Sequence, residues 1–162
     1  MKVKVDRFQF TVVTSILCEL PAPLVKTLQH AGRAALRNIP LAILEEKLRR
    51  NTIYSLVLTV VTGPKIRALN AAYRNKDKPT DVLSFSQIEG IQMPTVDYHV
   101  GEVIVCGSVA KAQAKRHGFT FKEEIARLTV HGVLHLFGYD HEKSAREAKK
   151  MFALQEAILE KL

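Results

Sequence analysis

The strongest constraint in this sequence is a helix whose start, stop and functional face are all spelled out. Thr120 followed three residues later by Glu123 is a capping-box pattern, in which each side chain bonds the other residue's backbone N–H. Ile125, Leu128 and Val130 then carry apolar side chains toward His131 and His135. These two histidines are four apart, so a helix sets both imidazoles on one face, about one turn (roughly 6 Å) apart. Gly138 stops the helix, since glycine takes the left-handed conformation that a helix end often needs. The chain can then double back and bring in His141 as a third nitrogen donor.

Three neutral imidazoles with one coordination position left open are the donor set of a catalytic zinc site rather than a closed structural one. One histidine on an apolar helix face is ordinarily a packed core residue. Three around a turn glycine are hard to explain that way, because each buried polar ring needs a partner. His30, His99 and His117 lack this spacing and are expected at the surface or satisfied by neighbours. The run His131-Gly132-Val133-Leu134-His135-Leu136-Phe137-Gly138-Tyr139-Asp140-His141 has the spacing of the metzincin proteases, but Gly132 stands where they carry a Glu. That Glu is the general base for attack of water on a peptide carbonyl. Proteolysis is therefore the lesser reading, and a hydrolysis that depends less on that base is the greater.

A chain of 162 residues with 47% hydrophobic and 25% charged residues has the size and balance of one globular unit, so one hydrolase domain is expected over 1–162. Its net charge of +8 favours an anionic partner, nucleic acid first among them. The excess is concentrated. Lys65, Arg67, Arg74, Lys76 and Lys78 are opposed only by Asp77 within their stretch, and Lys111, Lys115, Arg116 and Lys122 by no acid. Either stretch alone reads equally well as a solvated helix face, but two of them beside a metal centre favour nucleic acid. Cys18 and Cys106 form no C-x-x-C pair and read as small core hydrophobes of a reducing compartment. The apolar stretch from Phe10 to Leu20 carries Thr11, Thr14, Ser15 and Glu19, unlike a signal peptide, and no apolar run approaches a membrane span in length. A cytoplasmic protein with no membrane partner is expected.

Alternation in Val3, Val5, Phe8, Phe10 and Val12 predicts one opening strand to near Ser15. After Pro21-Ala22-Pro23, helical spacing predicts a helix over Leu24 to Arg37 and, past Pro40, another over Leu41 to Arg50. Ser55 to Val61 is β-branched and apolar, a strand buried on both faces. Pro64 suits the first turn of a helix with Ile66, Leu69, Asn70 and Tyr73 on its face, ending near Arg74. A polar loop from Asn75 to Thr80 precedes a strand at Val82, Leu83 and Phe85, and a further strand spans Val100 to Cys106. Glu89 to His99 reads as a loop. Ser108 is expected to cap a helix stopped by Gly118, and Ser144 to Leu162 to form the last helix. Strands and helices mix without strict alternation, so the predicted fold class is α+β.

The segments Leu69-Asn70-x-x-Tyr73-Arg74, Lys76-Asp77-Lys78-Pro79-Thr80-Asp81-Val82-Leu83-Ser84-Phe85, Gly101-Glu102 and His131 to His141 stand in the order and spacing of one family. In them the chain resembles the YbeY family of single-domain, metal-dependent endoribonucleases of ribosomal RNA maturation. The resemblance covers the middle and C-terminal thirds, and the N-terminal third follows it only in general pattern. It implies an α+β fold with a small mixed β-sheet packed against several helices. It implies one zinc per chain, held by His131, His135 and His141 on a central helix and the turn after it. It implies single-stranded RNA, ribosomal RNA in particular, as substrate, a role in ribosomal RNA processing and ribosome quality control, and the small ribosomal subunit or its assembly proteins as partners.

The resemblance also implies a functional, catalytic arginine at Arg74, and the basic loop after it adds Lys76 and Lys78 as nucleic-acid-binding residues. A guanidinium can hold two non-bridging phosphodiester oxygens while charge builds on them. The plainer reading of Arg74 is a cation facing the dipole at a helix C-terminus. The alternative function is a non-catalytic ribosome-assembly factor whose metal is structural. The family usually has Gly-Asp where this chain has Gly101-Glu102, which keeps a carboxylate of longer reach, and Pro where Ser86 stands, which is expected to alter the path of a loop. Asp140 reads either as a partner orienting a histidine or as a turn residue, and Asp81 as a residue that fixes its loop.

Overall fold

The structure, a computed structural model, describes residues 1–49, 52–88 and 98–162. It opens with an antiparallel hairpin of β1 (Lys2–Val5) and β2 (Phe8–Ile16), joined through Asp6 at φ 51°. The sequence pattern predicts a single strand here, and two are found. The reason is a break in phase: Val3 and Val5 alternate with period two, but Phe8 restarts the pattern three residues later, and the turn fills the gap.

Helix α1 (Ala22–Asn38) follows, then α2 (Leu41–Lys47). The second ends short of Arg50, which lies outside the described residues. Leu48 takes an extended backbone that places it in the core, and the Arg49 N–H donates to the Tyr54 hydroxyl at 2.7 Å. Strand β3 (Ile53–Val61) leads to α3 (Gly63–Arg74), β4 (Val82–Ser86) and β5 (Tyr98–Cys106). The predicted loop from Glu89 to His99 falls mostly outside the described residues, but its last two, Tyr98 and His99, belong to β5. The chain then forms α4 (Gly107–His117), α5 (Phe121–Leu136) and α6 (Ala145–Leu159). Ser108 does not cap α4. The strand runs straight into the helix at Gly107, so no side chain caps it, and the Ser108 hydroxyl sits 3.4 Å from the Cys106 sulfur instead.

The five strands form one mixed sheet in the order β1-β2-β3-β5-β4. The pairs β2–β3 and β3–β5 are parallel, and the outer pairs are antiparallel. The fold class is α+β, as the sequence pattern predicts. Strand β3 is buried on both faces only over its last four residues; before them exposure alternates. The cause is unequal cover. Helices α1 and α5 pack on one face over the large core that holds Leu56, Leu58, Val60, Val103 and Val105. On the other face α3 covers only a small cluster of Val61, Ile66, Leu83, Ile104 and Cys106.

Helix α5 is central, in contact with α1, α4, α6, β4 and β5. A Cβ on Gly132 would overlap Val103 Cγ1 and come within 3.0 Å of Ser84 Oγ, so this glycine lets the helix lie directly on β5 and β4. Gly101, at φ +146°, is fixed for a different reason: a Cβ there would overlap the Phe85 carbonyl oxygen of the neighbouring strand. Gly132→Ala sets two effects against each other. Alanine favours a helix interior by about 1 kcal/mol, whereas overpacking a filled core costs about 1–3 kcal/mol. Val103 is fully buried, β-branched and held in a strand with neighbours on both sides, so it has nowhere to move. Overpacking wins, and the melting temperature of Gly132→Ala is expected to fall by several degrees, at about 2–4 °C per kcal/mol for a chain of this size. A rise on thermal unfolding would show that Val103 yields.

Candidate metal centre

The two ends of α5 form as their local sequence dictates. At its start the Thr120 hydroxyl accepts from the Glu123 N–H at 3.2 Å while the Glu123 carboxylate accepts from the Thr120 N–H at 2.7 Å. At its end Gly138 N–H donates to the His135 carbonyl at 3.0 Å and Tyr139 N–H to the Leu134 carbonyl at 3.2 Å, with Gly138 at φ +88°. This pair of bonds closes the helix and reverses the chain. Asp140 then accepts the Glu142 N–H at 2.8 Å, a turn-forming bond, which favours the turn reading of that residue. The Ser144 hydroxyl accepts from the Glu147 N–H at 3.2 Å and starts α6.

The turn delivers His141 beside the two helix histidines. Ring centroids are 4.7 Å apart for His131 and His135, 5.1 Å for His131 and His141, and 5.2 Å for His135 and His141. One ring nitrogen from each lies within 4.8 Å of the other two, and among the described residues no further Cys, His, Asp or Glu joins this group. The Nε2 atoms of His131 and His135 are 3.1 Å apart. Two imidazoles on a tetrahedral zinc, with bonds of about 2.0–2.1 Å, have nitrogens about 3.3 Å apart. The donor set and this spacing therefore fit a zinc-sized cation with three protein ligands.

Both helix histidines are biased toward the neutral form, the one able to ligate a metal. Burial pushes His131 down, against a hydrogen bond with Gln155 that pulls it up. Burial, and then repulsion from His131 and His141, push His135 down to about 4. His131 Nδ1 lies 2.9 Å from Gln155 Oε1, and because an amide oxygen only accepts, Nδ1 carries the proton and Nε2 keeps its lone pair free. Gln155 is itself buried and donates to Glu156 at 3.2 Å, and Glu156 is paired with Arg127 at 2.5 Å. The Phe152 ring stacks on His141 at 5.5 Å and 26° and on His131 at 6.5 Å and 23°, forming one wall of the site.

Arg74 approaches the turn that carries His141 from the far side of the sheet. It is the last residue of α3, followed by Asn75 at φ 54°, and its Nη2 lies 3.9 Å from Glu142 Oε2, next to His141. The two helices flank β4, an edge strand, and Arg74 meets Glu142 around that edge. Lys76 and Lys78 are exposed on the loop that follows, while Arg67 takes up Asp77 through two bonds of 2.8 and 2.7 Å. The one acid of this basic stretch is thus already neutralised. The second stretch stands at exposed positions on α4 and the first turn of α5.

Several other residues settle into structural roles. Asp81 fixes its loop, accepting from Thr80, the Val82 N–H and Gln113 at 3.0, 2.9 and 3.0 Å. Glu102 lies on the sheet face turned away from α5 and accepts from Thr59 at 2.5 Å. Ser86 does more than alter a loop: it ends β4, and its hydroxyl donates to the Leu136 carbonyl at 2.9 Å, at the C-terminus of α5. His30, His99 and His117 are exposed and away from the triad, His99 paired with the Ser55 hydroxyl and His117 edge-on to Phe119. Sequence reasoning missed Phe152, Gln155 and Glu142 as site residues. The available signal was a glutamine inside the otherwise apolar stripe of α6, three residues after Phe152 and hence on the same helix face. Nothing in the sequence marks Glu142.

The model of the family described as Endoribonuclease YbeY matches residues 26–162. The Endoribonuclease YbeY of Sulfurihydrogenibium sp. (strain YO3AOP1) is 47% identical over 130 residues, 78% of this chain and 81% of that one. That of Staphylococcus carnosus is 44% identical over 122 residues, 72% of this chain and 76% of that one. Among solved structures, a Thermotoga maritima protein determined in solution superposes with a TM-score of 0.52 at 29% identity, over 91% of this chain and 87% of that one.

Proposed function

The chain belongs to the YbeY family of endoribonucleases, and on that premise we propose that it is a zinc-dependent endoribonuclease that cuts single-stranded RNA, its substrate being ribosomal RNA in maturation and quality control. Residues 1–162 act as one hydrolase domain in this reading. The observation that carries it is the cluster of three imidazoles beside a guanidinium that no core packing demands. A phosphodiester is anionic before and during cleavage, and a cation pair of metal and arginine suits it better than a neutral peptide bond.

In this reading His131, His135 and His141 hold the zinc, which when bound supplies Lewis acidity toward a phosphoryl oxygen and acidifies water. Gln155 keeps the His131 ring in the tautomer that presents Nε2. Arg74 binds the non-bridging oxygens of the scissile phosphate. Its contact with Glu142 is long and exposed on both sides, so the carboxylate holds the guanidinium in place yet gives way to a phosphate. Lys76 and Lys78 track the neighbouring phosphates, a sequence-independent attraction that weakens with salt. Phe152 keeps bulk water off one side of the imidazoles.

The two other readings fit less well. A protease would place its Glu base at position 132, where a side chain would strike Val103 rather than point into the site. A structural zinc would have a fourth protein ligand, and among the described residues the donor group stops at three. A cytoplasmic location, and the ribosome and its assembly factors as partners, follow from ribosomal RNA as substrate; no helix among the described residues is long and apolar enough to cross a membrane. The test is cleavage of a single-stranded RNA by protein as purified, after chelation and after zinc is restored. Cleavage is expected to vanish on chelation and return with zinc. Equal cleavage in all three would overturn the metal mechanism.

A further inference from the structure

Tyr73 is the most exposed large hydrophobic side chain among the described residues, at 67%. It is not loose. Its ring meets Phe85 edge-on, with centroids 5.0 Å apart and planes at 68°. Phe85 in turn packs on the cluster of Ile66, Leu83 and Ile104 that joins α3 to the sheet. The ring is thus held against Phe85 and open to solvent over most of its surface. It sits in the last turn of α3, one residue before Arg74.

We propose that Tyr73, seated on Phe85, is a stacking platform for the nucleobase of a nucleotide next to the scissile phosphate, a reading that rests on RNA being the substrate. The argument has three parts. A single strand crossing the site must lay one phosphate on Arg74, and adjacent residues at a helix end bring Tyr73 within a nucleotide's length of it. A single-stranded chain exposes its bases, and aromatic side chains hold them by stacking without regard to sequence. Preorganisation by Phe85 removes much of the ordering cost that a free tyrosine side chain would meet on binding. Stacking at this place also favours single strands over duplexes, since a paired base has both faces covered.

The test uses the full chain and two matched oligoribonucleotides, one intact and one lacking a single base beside the mapped cleavage position. Loss of one base–aromatic stack corresponds to about 5- to 150-fold in binding. Wild-type protein is expected to lose kcat/KM by such a factor on the abasic RNA, mostly in KM. Tyr73→Leu keeps an apolar contact with Phe85 and is expected to show that loss already on intact RNA, with no further loss on the abasic one, whereas Tyr73→Phe behaves as wild type. A second readout needs no chemistry: 2-aminopurine at the same position should be quenched on binding to wild type and not to Tyr73→Leu. Losses that multiply, or equal quenching in both proteins, would overturn the stacking role. If 2-aminopurine scanned along the strand is quenched by the wild type and not by Tyr73→Leu but no RNA is cleaved, the nuclease reading fails and Tyr73 remains a base-stacking residue.

Discussion

His135→Ala is expected to abolish both zinc binding and RNA cleavage while leaving the metal-free fold as stable as before. On the proposed reading His135 is one of three zinc ligands, and its loss leaves two nitrogens, too few to hold the ion against water. The metal-free protein loses little, because His135 is only partly buried and alanine is the better helix former by roughly half a kcal/mol. The distinguishing measurement is the shift of melting temperature with zinc. At a zinc concentration one hundred times the Kd, binding adds about 2.7 kcal/mol to the wild type. That corresponds to about 5–10 °C for a chain of this size. His135→Ala should show no shift and no metal after dialysis. A variant that kept its zinc, or that cut RNA without it, would remove His135 from the centre.

Arg74→Ala should fail in another way. The guanidinium's link to Glu142 is 3.9 Å long and exposed, worth about 0–1 kcal/mol, so the fold and the zinc-induced shift should survive. On the proposed reading what disappears is the contact with the phosphate, and loss of one such electrostatic contact costs about 10²–10³-fold in rate. Arg74→Lys should recover part of it, because an ammonium restores the charge but not the planar pair of donors. Rates measured beside metal content separate the two variants: one loses zinc and activity together, the other loses activity alone. An Arg74→Ala protein that cleaved at the wild-type rate would return this arginine to the role of a helix-end cation.

The histidine site was legible in the sequence because it is local. Its three histidines stand within eleven consecutive residues, and their geometry follows from the helical repeat, a capping box at Thr120 and the left-handed turn at Gly138. The same kind of signal gave the helix ends at Arg74 and His117 and the class of the fold. It misled at Ser108, where a good capping residue lacks a loop to cap from, and at the first hairpin, where a strand pattern hid a change of phase.

What the sequence by itself determined is therefore the set of groups that a few backbone dihedrals and short-range hydrogen bonds bring together: three imidazoles on one helix end and its turn. Only the tertiary structure decided what surrounds them. Arg74 comes from the other face of the sheet, and it meets Glu142, next to His141, because β4 ends the strand order and leaves an edge to go around. Gln155 and Phe152 come from α6 because that helix packs on α5. Gly132 has no side chain because α5 rests on Val103, which no spacing rule reveals. These placements depend on which apolar faces bury one another, a property of the whole chain that no short window of residues contains.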